Sequence, residues 1–203
     1  MDTTAEEKSG HTKRPRIRLD FNSPVILGMT CISLLLLFLN WITGGAVNGI
    51  LAIRYTSWLD PLMHIRLFTH VLAHSGLPHF VGNFMLILAV GPMVEEKYGG
   101  LRLLLMLAVT AAVTGLVNVV FFRGVALIGA SGIVFMLTLL ASFVNIRQGR
   151  IPLTVLLVAL LYIGNEIVQG VFANDNISQV AHIVGGLCGA AFGFAIHRER
   201  GGG

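Results

Sequence analysis

Charged side chains are scarce: they make up 12% of the 203 residues, against 55% hydrophobic residues, and the mean hydropathy is +0.79. That balance excludes a soluble globular domain, whose interior could not hold so much apolar surface, and it excludes a chain disordered throughout. Cysteine is nearly absent. Cys31 and Cys188 both fall within apolar runs, where a free thiol behaves as a small hydrophobe, so there is no disulfide framework and no information on redox compartment.

What is present is a series of apolar runs. The expected spans are approximately 25–43, 79–95, 101–122, 128–146, 152–171 and 179–197. Crossing a hydrocarbon core of about 30 Å takes roughly 17 to 25 residues, so the shorter runs suit helices that end beside a cavity. The first run is too long for a signal-peptide h-region of about 7 to 15 residues and reads as a retained helix. Residues 1–22 read as a disordered basic cytoplasmic tail, and 23–200 as one membrane domain.

The net charge of +4 and pI near 9.5 could suggest a nucleic-acid partner, but the basic residues cluster at the ends of apolar runs. Eleven of the fourteen, including Lys13, Arg14, Lys97, Arg102, Arg147 and Arg198, flank one side, leaving Arg54, Arg66 and Arg123 on the other. The positive-inside rule then places both termini in the cytoplasm with six spans, and the charge serves topology and anionic lipid. The segment from Gly44 to Pro78 is long and rich in Trp, Tyr, Phe and His, which predicts a loop lying in the interface. Glu95, Glu96 and Lys97 end the second run and are expected to cap or solvate it.

Three motifs stand out. Gly129-Ala130-Ser131-Gly132 sits at the mouth of the fourth run, His182 opens the sixth, and His79 and Asn83 lie one helical turn apart on the second. Polar groups at membrane depth face protein or water and mark function. In isolation a Gly-x-Ser-Gly in a glycine-rich chain is usually a packing motif, and a lone His in an apolar run is structural as readily as functional. With the N-terminus inside, however, all three begin at the same extracytoplasmic face. A helix from Ser131 to Ile146 would rise about 24 Å, leaving the serine several Å below the outer edge of the core.

On these motifs the chain resembles the rhomboid family of intramembrane serine proteases, over nearly all of its length from first span to last. The resemblance implies Ser131 as nucleophile, His182 as general base and acid, and His79, Asn83 and the Ser131 N–H as oxyanion donors. Gly129 and Gly132 would let the chain turn tightly at a helix start, where unpaired N–H groups and the dipole favour an anion. Asp and Glu are absent from positions that could orient His182, which leaves a Ser-His dyad. Phe135, one turn below Ser131, could stack on the imidazole, and Gly185, Gly186, Gly189 and Gly193 form a small-residue stripe for packing the sixth span on the fourth. Arg66 matches one half of a family Trp-Arg pair, but Ile65 stands where the Trp would be.

The expected architecture is therefore an all-α integral membrane protein, a six-transmembrane-helix rhomboid-like bundle with a long interfacial loop between helices 1 and 2. The expected activity is cleavage of transmembrane segments of membrane protein substrates, without cofactor, metal or nucleic acid. Substrate and surrounding lipid are the expected partners, span five (Gly164, Gly170) the side of substrate entry, and a bacterial plasma membrane the expected location. One alternative is a proteolytically inactive rhomboid-like protein that binds membrane clients. Another is a metal site built from His70, His74 and His79.

Overall fold

The computed structural model describes residues 22–142 and 176–201, together with Leu153, Leu157, Leu160, Leu161 and Gly164, and these are helical apart from connecting segments and one isolated bridge. Helix α1 (Pro24–Ile42) begins with Pro at its first position, where the missing N–H costs nothing. Gly44 and Gly45, both at positive φ, then reverse the chain into α2 (Ala46–Leu51). Helix α3 (Pro61–Thr69) is opened by Asp60, whose carboxylate accepts the Leu62 N–H at 2.9 Å, and it runs into a 3-10 turn over His70–Leu72. Next come α4 (Leu77–Tyr98), α5 (Gly100–Phe121), α6 (Ser131–Ser142) and α7 (Asn176–Gly201).

Among the described residues, four helices are long and apolar enough to cross a membrane: α1, α4, α5 and Gln179–Ile196 of α7. Helix α6, over its described length, is shorter. It starts at Ser131, later than the expected 128, because Gly129 sits at φ +116, outside helical space. The expected fifth span lies outside the described residues except for the four leucines and Gly164.

Burial assigns α6 to the centre. Nearly every residue from Gly132 to Ala141 is buried, which is the mark of a helix packed on all sides, whereas α1 buries only Ile26, Met29 and Ser33. Around α6 stand α4, α5 and above all α7. Since lipid is as apolar as leucine, such helices associate through close van der Waals packing, and small residues decide where it occurs. A Cβ on Gly185 would collide with the Gly132 carbonyl, and one on Gly189 with the Met136 carbonyl, so α6 and α7 touch backbone to backbone.

Helix α1 is fastened differently. The buried Glu95 carboxylate, at the end of α4, accepts the N–H groups of Val25 and Ile26 at 2.9 and 3.0 Å. It caps the start of α1, with its negative charge at the positive end of that helix, and not α4 itself.

The segment between α1 and α4 is tied down throughout. Arg66 is 7% exposed and donates to the carbonyls of Ile50 (2.7 Å) and Gly49 (3.3 Å). It thus anchors the segment in the absence of a neighbouring Trp. Ile53 pairs with Leu127 in the isolated bridge, and Asn118 of α5 donates to Ile53 O (3.3 Å) and Val125 O (3.0 Å), clamping both strands of it. Arg123 stacks 4.6 Å over the Tyr55 ring.

Candidate functional site

The bridge ends at the turn that carries the Ser motif. Gly129 donates its N–H to the His70 carbonyl at 3.0 Å, and the first helical bond of α6, Val134 N–H to Ala130 O at 3.0 Å, leaves the N–H groups of the opening turn without intrahelical acceptors. Ser131 is the first residue of α6, half-buried, so its hydroxyl and its N–H stand at the positive end of the helix.

His79 and Asn83 of α4 come against this turn. A Cβ on Gly129 would sit 2.6 Å from His79 Nε2 and 3.8 Å from Asn83 Nδ2, so only glycine fits beneath these two nitrogens. Asn83 is 2% exposed, and its Nδ2 is buried without a hydrogen-bond partner, an arrangement costing about 1–3 kcal/mol that persists only where something else offsets it. His79 is half-buried, with Nδ1 at 3.0 Å from the Ser75 hydroxyl.

His182 lies in α7 beside the start of α6. A Cβ on Gly132 would lie 3.4 Å from the Ala181 carbonyl, which puts the residues adjacent to Ser131 and His182 in contact. The imidazole is 5% exposed and stacks on Phe135 with centroids 4.6 Å apart and planes 12° from parallel. Gly186 faces Leu139 (Cδ1 at 3.1 Å from its Cβ position), so of the two adjacent glycines Gly185 alone meets backbone.

The other histidines of the segment have structural partners. His70 is 1% exposed, with Nδ1 at 3.0 Å from Arg66 O and Nε2 at 3.5 Å from the Thr114 hydroxyl. His74 has Nδ1 at 3.3 Å from Leu72 O and packs edge-on against His79, Phe80 and, more tilted, Phe84. Burial above all pulls both down to about 4, so both are neutral near pH 7. Among the described residues no three His, Cys, Asp or Glu side chains converge as a metal site would require.

Two supporting residues were not singled out from sequence. Thr114 contacts Gly132 and His70 together, and Gly115 leaves room for the His70 ring and the α3 backbone, with its Cβ position 3.3 Å from Leu67 Cα. The available signal was a polar stripe at four-residue spacing, Thr110, Thr114 and Asn118, along an otherwise apolar helix.

Several long apolar helices around a buried polar cluster define a multi-pass membrane protein. The chain matches the Rhomboid domain family over residues 61–199, and it belongs to that family. It is 28% identical over 144 residues to Rhomboid-related protein 2 of Mus musculus, covering 64% of this chain and 47% of that protein. It is 28% identical over 173 residues to Rhomboid protease GluP of Bacillus subtilis (81% of this chain, 33% of that one), and 26% identical over 132 residues to Rhomboid protease GlpG of Haemophilus influenzae (64% and 68%). The chain thus spans about half or less of the first two relatives.

Proposed function

We propose that this protein is an intramembrane serine endopeptidase that cleaves transmembrane segments of membrane proteins with a Ser131–His182 dyad. The observation that carries the reading is the meeting of three helix starts at one turn: Gly129 lies under the nitrogens of His79 and Asn83, while Gly132 lies against Ala181. Two of the relatives are named rhomboid proteases, which supports the same activity.

In this reading neutral His182 takes the Ser131 proton as Oγ attacks the scissile carbonyl, then delivers it to the leaving amine, and water resolves the acyl-enzyme. Phe135 holds the imidazole plane by stacking. The oxyanion is received by the Ser131 N–H, His79 Nε2–H and Asn83 Nδ2–H, and the last of these donors is already desolvated and unpaired. Substrate must unwind locally to expose its carbonyl, which favours small or helix-breaking residues near the cut. The topology that goes with it has six spans, both termini cytoplasmic and the site open to the extracytoplasmic side, with entry beside span five.

The test is cleavage of a transmembrane reporter in liposomes by the wild type, Ser131→Ala and His182→Ala, with and without chelator. Loss in both variants, with indifference to chelator, is expected. Failure of folded wild type to cut any of several reporters would instead favour a client-binding role without proteolysis.

A further inference from the structure

Three histidines follow one another in the segment entering α4, and their Nδ1 atoms have different kinds of partner. His70 and His74 face backbone carbonyls, Arg66 O at 3.0 Å and Leu72 O at 3.3 Å. A carbonyl only accepts, so it fixes Nδ1–H and leaves Nε2 as an acceptor. His79 instead faces the Ser75 hydroxyl at 3.0 Å, and a hydroxyl can donate. Its Nε2 is the ring nitrogen turned to the Gly129 turn, 2.6 Å from the Gly129 Cβ position.

A neutral imidazole carries one N–H, and for Nε2 to donate to an oxyanion beside Gly129, Nδ1 must be the acceptor. We propose that Ser75 is a positioning residue that donates its hydroxyl proton to His79 Nδ1 and so holds His79 in the Nε2–H tautomer that the oxyanion requires. This rests on the protease reading above. The hydroxyl acts through His79 and does not touch substrate. Because Ser75 is exposed, its replacement disturbs no packing.

The experiment compares wild type, Ser75→Ala, Ser75→Thr, His79→Ala and the Ser75→Ala/His79→Ala double variant. Cleavage kinetics are combined with 15N spectra of the imidazoles of the full chain in micelles, His79 being assigned by its absence in His79→Ala. Loss of one oxyanion donor costs about 10²–10³ in kcat, and a ring that spends only part of its time in the right tautomer costs less, so Ser75→Ala should lose about 10-fold. The expected result is that loss in kcat with KM unchanged, recovery in Ser75→Thr, no added loss on top of His79→Ala, and a His79 spectrum that moves from Nε2–H toward Nδ1–H in Ser75→Ala alone. Wild-type kcat in Ser75→Ala, an unmoved His79 tautomer, or additive losses would each overturn the proposal. If His79→Ala cleaves normally, the oxyanion role of His79 falls, whereas the spectrum still decides whether Ser75 sets the tautomer.

Discussion

The same added methyl group should be harmful at one and nearly neutral at the other of two adjacent glycines of α7. At Gly185 it would drive into the Gly132 carbonyl, a backbone atom fixed by the start of α6, one residue from Ser131. At Gly186 it would meet Leu139 Cδ1 at 3.1 Å, the tip of a side chain that can rotate away. For Gly185→Ala to fit, α6 and α7 must separate by about 1 Å to restore ordinary van der Waals distance. Overpacking of this kind costs about 1–3 kcal/mol, and displacing a base by about 1 Å from its nucleophile costs on the order of 10² in rate. In Gly186→Ala the loss of glycine's backbone freedom in the unfolded chain should compensate, leaving stability within about 1 kcal/mol and turnover near wild type. Reporter cleavage in liposomes and unfolding by SDS titration from mild detergent measure the two quantities separately. Equal behaviour of the two variants, or wild-type turnover in Gly185→Ala, would refute backbone contact between α6 and α7 as the feature that sets the proposed dyad.

Acid should destabilise the fold through His70. Burial holds it at about 4 in the folded protein, against about 6.5 when unfolded, so below about 6.5 the unfolded chain binds a proton that the folded one refuses. Stability therefore falls as pH drops from about 6.5 to 4 and levels off beneath, by about 3 kcal/mol at the limit. His70→Gln should lose a substantial part of the pH slope, with His74, also at about 4, among the groups that retain the remainder; an unchanged slope in SDS titrations between pH 7 and 4.5 would contradict the assignment. Glu95→Gln leaves one acceptor oxygen for the two N–H groups of α1 and removes a charge from its helix start, a loss of about 1–2 kcal/mol. Glu95 lies about 24 Å along α4 from His79, so turnover per folded molecule should not change. Slower turnover per folded molecule would show that α1 seating reaches the proposed site.

The apolar runs were legible because a membrane span is a local property: length and hydropathy along α1, α4, α5 and most of α7 decide it with no reference to partners. The turn at Gly129 was legible for a similar reason, since glycine tolerates φ +116 as few other residues do. Contact is not local. That Glu95 would seat α1 and leave its own helix end to Gly99, that Arg66 would reach back to the Ile50 carbonyl without a Trp beside it, and that Thr114 would sit between His70 and Gly132 depended on residues brought together from distant parts of the chain. The sequence by itself determined the membrane class, the family resemblance and the residues worth testing. Only the tertiary structure decided which glycine of an equivalent pair touches backbone and which histidine faces a hydroxyl, because both depend on the angle at which one helix presents its face to the next.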